Sequence, residues 1–216
     1  MSSSKRKGGR KVWIVVGVVA VIALALAYTA WLMKLSVRID LPAAESSVTP
    51  AAKSDLARFA VKSLARLETT AAIPAAPAYV FQTRDGADTT FEAFRGKVVL
   101  VNLWAMWCAP CRTEMPTIAA LAQTYADRPL VVLPINVDTG VDKIADATSF
   151  IDVHEPLPLY SDPKFQLPFE FPGKGKMPQT ILLDRQGRIR ASFSGETDWN
   201  SPEAHALIDA LLAEPA

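Results

Sequence analysis

The sequence predicts an α/β domain, a mixed central sheet flanked by helices, behind an N-terminal transmembrane helix. Two near-continuous apolar runs, Lys97 to Trp104 and Leu130 to Val137, read as strands buried on both faces. Each is followed by a stretch of helical character, from about Ala109 to Ala126 and from Val141 to His154. Two further strand patterns, Gln179 to Asp184 and Arg188 to Phe193, enclose the turn Arg185-Gln186-Gly187 and read as a hairpin. Strands that alternate with helices and end in a hairpin give a mixed sheet covered on both faces.

The chain has 216 residues, half of them hydrophobic, and a formal net charge of +1. That length supports one medium domain with appendages. The near-neutral balance excludes a global electrostatic case for a nucleic-acid partner. Basic residues concentrate only in residues 1–11, at Lys5, Arg6, Lys7, Arg10 and Lys11, which are expected to be cytoplasmic. The uncharged run Val12 to Met33 follows directly, and its helical length matches a hydrocarbon core of roughly 30 Å. Trp13 lies at one end, Tyr28 and Trp31 near the other, as interfacial aromatics do. Cations before the run outnumber those just after it, Lys34 and Arg38, which predicts an N-terminus inside and a domain outside the cytoplasm. A cleaved signal peptide, with Ala25-Leu26-Ala27 as its small-residue site, is the competing reading. Its apolar region is usually about 7–15 residues, shorter than this run. Either reading exports the domain.

Residues 34–74 are rich in Ala, Ser, Thr and Pro and read as a tether. Within it Leu56, Phe59, Ala60, Leu64 and Leu67 recur at helical spacing, which predicts an amphipathic helix docked on the domain. The domain occupies 75–216. It opens with a short strand, Tyr79 to Gln82, a turn at Asp85-Gly86 and the short segment Thr90 to Phe94. It closes with a helix from Ser201 to Leu212, capped by Ser201 with Pro202 in the first helical position.

The two cysteines of the chain stand together in Trp107-Cys108-Ala109-Pro110-Cys111. A disulfide between them closes a very short loop, and loop-closure stabilisation grows with loop length. The pair therefore reads as redox chemistry rather than as a staple. Cys108 belongs at the mouth of the helix, where free N–H groups and the positive dipole end favour a thiolate. Cysteines in such places have a pKa of roughly 3.5–7.5 against about 8.5 unperturbed. Cys108 is thus the expected nucleophile and Cys111, one turn further in, the resolving thiol. Pro110 and Ala109 tune the first sulfur. Half of a zinc site is the alternative, but it would need two more ligands, and only His154 and His205 are available, far apart in the chain.

The run Asn102-Leu103-Trp104-Ala105-Met106-Trp107-Cys108-Ala109-Pro110-Cys111-Arg112-Thr113-Glu114-Met115-Pro116 resembles the thioredoxin superfamily, in particular its membrane-anchored TlpA/ResA/CcmG branch, nearest to TlpA. The resemblance covers roughly Ala78 to Leu212 and implies a thioredoxin-like fold. It implies a proline, Pro116, inside the active-site helix. It implies that Met177-Pro178 is a cis-proline pair facing the active-site turn, with Met177 offering its backbone to an extended substrate. It implies that Glu114 lies by the thiols and moves protons, although a surface helix carboxylate is an equal reading of that residue. Asn102 stands where cytoplasmic thioredoxins have a buried aspartate. Trp107 is expected to be exposed and to contact substrate, Trp104 to be core. Met106 departs from the more usual polar residue. The segment Phe165 to Lys176 reads as irregular, and as surface variation more than a partner-selecting element.

The resemblance implies a membrane-tethered protein-disulfide reductase, without a cofactor, in the periplasm or its equivalent. Its partners would be a copper chaperone, a copper-binding oxidase subunit or an apocytochrome c, with a transmembrane thiol carrier as electron donor. A disulfide-introducing oxidase is open, because the direction of flow depends on relative potentials. A Cu(I)-binding module using the same cysteines is also open. A peroxidase of this fold would need Pro and Thr where Val101 and Ala105 stand.

Overall fold

The computed structural model describes residues 22–31, 54–69 and 72–215. Two units divide at residues 47 and 48. In the first, residues 22–31 form a helix, α1, whose side chains are exposed throughout, with the rings of Tyr28 and Trp31 stacked at 6.1 Å. No helix among the described residues is long and apolar enough to cross a membrane. The remainder of the expected span 12–33, and residues 1–11, lie outside the described residues.

The second unit is built on an eight-stranded sheet. In chain order its strands are β1 (Glu68–Thr69), β2 (Phe81–Thr83), β3 (Asp88–Thr89), β4 (Val98–Trp104), β5 (Leu130–Asn136), β6 (Tyr160–Ser161), β7 (Gln179–Leu183) and β8 (Ile189–Ser194). Their order across the sheet is β1-β8-β7-β4-β5-β6-β2-β3. The chain runs parallel from β4 to β5 and from β5 to β6, while β7 pairs antiparallel with both β4 and β8. The helices are α2 (Ala109–Thr124), α3 (Val141–Asp152), α4 (Leu167–Glu170) and α5 (Pro202–Ala213).

β4 explains the layering. All seven of its residues are buried, and alternate side chains leave a strand on opposite faces. Val98, Leu100 and Trp104 join one apolar cluster with Met115, Ile118 and Leu121 of α2, Ala147 and Ile151 of α3, and Leu207 and Leu211 of α5. Val99, Val101 and Leu103 join the other, with Phe81, Phe91, Leu167 and Phe171. The near-continuous apolar run was therefore a sound signal, and the mixed sheet covered on both faces is as expected.

Two elements differ from expectation, and the segment Thr90 to Phe94, to which the sequence assigns no type, takes one. The stretch Tyr79 to Gln82 starts its strand two residues later. Tyr79 N–H closes a turn on Pro77 O, and its hydroxyl donates to Asp162 Oδ1 at 2.7 Å. Thr90 to Phe94 is a 3₁₀ turn over Phe91–Phe94, preceded by β3. The amphipathic helix is instead two 3₁₀ turns, Asp55–Phe59 and Lys62–Leu64. Val61 between them is extended and Lys62 has a φ of 48°, a left-handed value that interrupts a helix. The apolar positions still do what their spacing implied, since Leu56 and Leu64 are fully buried. Ser63 fixes this segment to the rest by donating from N–H and Oγ to Glu203 Oε1 on α5, at 3.0 and 2.9 Å.

Candidate active site

Buried β4 ends at Trp104, and after a four-residue turn α2 begins at Ala109 with Cys108 as its N-cap. Cys108 N–H bonds to Ala105 O at 3.1 Å, folding the turn, and Cys108 O accepts from Arg112 N–H at 3.2 Å, starting the helix. Pro110 stands in the first turn, where its missing N–H costs no helical bond. No acidic side chain lies in that turn to offset the positive end of the helix. Cys108 and Cys111 are joined in a disulfide, with Cα atoms 5.3 Å apart. Cys108 is 5% exposed and Cys111 0%, so the sulfur expected to attack is the one nearer solvent.

Glu114 follows Cys111 by three residues and so shares its helix face. It is a buried carboxyl, 1% exposed, which removes the surface reading. Asn102 of β4 donates Nδ2 to Glu114 Oε1 at 2.8 Å, and Thr197 N–H donates to Oε2 at 3.2 Å. Burial dominates over these bonds and pushes the Glu114 pKa from 4.5 up to about 8, with the nearby charge of Glu196 adding to the rise. The Trp199 indole lies beside the same carboxyl without meeting hydrogen-bond geometry. Asn102 Nδ2 also reaches Thr180 Oγ1 at 3.0 Å, tying the carboxyl to β7.

The bond Met177-Pro178 is cis, as is Glu155-Pro156. β4 and β7 pair Leu103 with Gln179 and Asn102 with Thr180. Continued by one residue, that register carries Pro178 to the end of β4, beside the strand-to-helix turn. Met177 is half-buried and packs on the apolar cluster that contains Cys108 and Cys111. Trp107 is 60% exposed and Trp104 fully buried, the division anticipated for them. Pro116 lies inside α2. His154 Nδ1 donates to Phe150 O, and His205 lies against Tyr125, so neither imidazole belongs to the cysteine pair.

Two site residues escaped the sequence reading. Asp138, just beyond β5, is 1% exposed, and its Oδ2 accepts from Met106 N–H and from Asn136 Nδ2, both at 2.7 Å. Arg112 donates Nη1 to Met106 O. Both backbone polar groups of Met106, the residue before Trp107, are therefore held by side chains from α2 and from beyond β5. The available signal was an aspartate at the C-terminal end of a buried parallel strand, where α/β sheets place their sites. Beside this turn Met106, Trp107, Asp138, Thr139, Lys143 and Asp146 line a cleft of about 460 Å³.

A disulfide at a helix N-terminus, a buried proton-holding carboxyl one turn on, and a cis-proline at the same end of the sheet define a thiol–disulfide oxidoreductase of thioredoxin-like fold. The chain belongs to the AhpC/TSA family, whose model matches residues 74–192. It is 29% identical over 123 residues to the thiol-disulfide oxidoreductase ResA of Geobacillus thermodenitrificans, covering 56% of this chain and 67% of that one. It is 32% identical over 116 residues to the thioredoxin-like protein YneN of Bacillus subtilis, covering 53% and 66%. The chain thus spans about two thirds of the length of these relatives. A crystal structure from Chlorobium tepidum, assigned as the thiol:disulfide interchange protein DsbE, superposes with a TM-score of 0.58 at 27% identity over 65% of this chain and 97% of that one.

Proposed function

We propose that this protein is a membrane-tethered, extracytoplasmic protein-disulfide reductase. The observation that carries the reading is the Cys108–Cys111 disulfide at the N-terminus of α2, with Glu114 buried one turn beyond it. In the reduced chain, the Cys108 thiolate attacks one sulfur of a partner disulfide. The partner's other sulfur leaves as a thiolate and takes a proton from water. Cys111 then gives its proton to the fraction of Glu114 that is ionised, small near neutral pH for a carboxyl of pKa about 8, and attacks Cys108 Sγ, which closes the observed disulfide and releases the second partner thiolate. Two electrons pass to the partner. A carboxyl with a pKa of about 8 keeps the proton near neutral pH and can return it when a donor dithiol reopens the bond. Trp107, Pro110, Met177 and Pro178 form the substrate side, with Met177 offering backbone to an extended segment.

The tether reading is supported by the cations before Val12 and by the exposed apolar side chains of α1, Leu24 at 71% among them. Reducing equivalents would come from a transmembrane dithiol carrier. Partners would be proteins whose cysteines must be reduced before they ligate copper or haem: a copper chaperone, an oxidase copper subunit or an apocytochrome c. The relatives' names, a thiol-disulfide oxidoreductase and a thiol:disulfide interchange protein, support thiol–disulfide exchange as the chemistry. A peroxidase is disfavoured by Val101 and Ala105, both buried where Pro and Thr would be needed. A Cu(I) module would leave Glu114 and the cis-proline without a task, and an oxidase differs from a reductase only in potential.

The test is a Cys111→Ser variant in native membranes. It should hold a partner covalently through Cys108, and Cys108→Ser should hold none. Copper retained stoichiometrically by the wild-type pair, with no mixed disulfide in Cys111→Ser, would favour the copper module instead.

A further inference from the structure

The segment between α3 and β7, read from sequence as surface variation, presents a second feature next to the nucleophile. The ring of Trp107 meets Phe165 edge to face at 6.0 Å, and Phe165 meets Phe169 in the same way at 5.6 Å. Trp107 is 60% exposed and Phe169 51%. The three rings form a ridge that starts one residue from Cys108. Single exposed apolar residues are ordinary on a protein surface, but contiguous ones signal contact with something.

The ridge is held in place. Asp162, 1% exposed, accepts from the N–H groups of Lys164, Gln166 and Leu167 at 2.8–3.2 Å. Gln179, fully buried, accepts from Gly173 N–H at 3.0 Å and donates to Pro168 O at 3.2 Å. Gly175 has a φ of +84°, and a Cβ there would lie 2.5 Å from the Phe169 ring. A side chain at 175 is thus excluded on both counts, and its absence lets Phe169 lie where it does. The ridge is also positively flanked. From Pro163 to Met177 the charged residues are Lys164, Lys174, Lys176 and Glu170, and all three lysines are exposed without an ion pair among the described residues. Each lies next to the feature it would serve: Lys164 precedes Phe165, Lys174 donates to Phe169 O at 3.3 Å, and Lys176 precedes Met177.

We propose that this ridge is the docking surface for one kind of partner segment, an acidic one that carries a large apolar residue beside its disulfide. The proposal rests on the oxidoreductase reading and adds the selection of the substrate. Carboxylates of the partner would meet the lysines, and its apolar side chain would cover Phe165 and Phe169. The two ring separations reach about three or four residues of extended strand, so the acidic positions should fall within that distance of the attacked cysteine.

The test uses the full chain in detergent micelles, reduced, with three probes. These are hydroxyethyl disulfide, an acidic Phe-bearing disulfide peptide, and the same peptide with lysines for its acids. The expected result is oxidation of the chain by all three in a single turnover, with a second-order rate constant for the acidic peptide about tenfold above that for the basic one at low salt, falling as salt rises. Lys174→Glu/Lys176→Glu should abolish or invert that ratio. A wild-type ratio near one, or a ratio unchanged in the double variant, overturns the docking surface. Failure to reduce hydroxyethyl disulfide overturns the parent reading instead. A benzophenone side chain in place of Phe169, in the Cys111→Ser chain loaded with the acidic peptide, should cross-link to the peptide flank. Adducts to lipid or to a second copy in membranes would assign the ridge to those occupants and overturn the proposal.

Discussion

Asn102 Nδ2 lies 2.8 Å from Glu114 Oε1, joining the middle of β4 to the second turn of α2 inside the core. The bond holds the carboxyl in an orientation while burial decides its charge. A hydrogen bond from an amide favours the ionised form, yet removing a carboxylate from water costs more than one such bond returns. The net upward shift, to about 8, follows from that imbalance.

This predicts how stability changes with pH. Between the ordinary value of 4.5 and about 8 the folded chain holds a proton on Glu114 that the unfolded chain has released. Stability therefore falls as pH rises across that window, and the contribution is complete only below it. Thermal melts of the oxidised protein at pH 5, 6.5 and 8.5 should show the decline. Glu114→Gln, which is neutral at every pH, should flatten it. An identical decline in the variant would assign the effect to another group.

Asp138 should position the active-site turn without touching substrate. Asp138→Ala leaves Met106 N–H and Asn136 Nδ2 without their acceptor, a loss of about 1–3 kcal/mol for buried groups. Asp138→Asn keeps one acceptor oxygen and should recover part of this. Equilibrium unfolding in urea gives the stability, and the rate of Cys108 alkylation in the reduced protein should change in the alanine variant beyond what its stability explains.

Leu64 tests whether residues 54–69 belong to the folded unit. It is fully buried in the larger apolar cluster, so Leu64→Ala should cost about 2–5 kcal/mol in urea unfolding. A segment merely resting on the surface would lose far less.

Gly173→Ala should loosen the segment ahead of the cis-proline. The new Cβ would meet the buried Gln179 amide at 2.5–2.8 Å, so Gln179 must give up its bonds to Gly173 N–H and Pro168 O. A cost of about 1–3 kcal/mol is expected, with faster proteolysis between residues 165 and 176. Unchanged proteolysis would remove Gln179 from this role.

The parts of the fold visible beforehand are those where a local pattern and the tertiary environment agree. β4 and β5 are buried on both faces and read as apolar runs; Ser201 and Pro202 open α5 as a cap and first turn should, with Ser201 Oγ accepting from Ala204 N–H at 3.3 Å. The cysteine pair, Pro116 and Met177-Pro178 were visible as a motif set. Less visible were elements defined by long-range partners. β6 is two residues inside a proline-rich crossing and exists because β5 and β2 flank it. The helical spacing of Leu56 to Leu67 reported which residues are buried but not the break at Lys62, a backbone property that no side-chain periodicity encodes. The burial of Glu114 needed Thr197 and Trp199, which are more than eighty positions away in the chain. Asp138 stands at the C-terminal end of a buried parallel strand, which marks it as a site candidate, but its acceptance from Met106 N–H is a backbone contact that residue types do not show.

The pairing of Glu68 and Thr69 with Ser192 and Ala191 has a consequence for life among neighbours. Together with the bonds from Ile189 N–H to Pro74 O and from Ala76 N–H to Gly187 O, it occupies the outward backbone of the hairpin's last strand. That margin would otherwise be an open template for a foreign strand. Here the protein's own leading segment has taken the vacancy and leaves a strand of only two residues at that margin, so chains packed side by side at high local density meet a much shorter template for pairing.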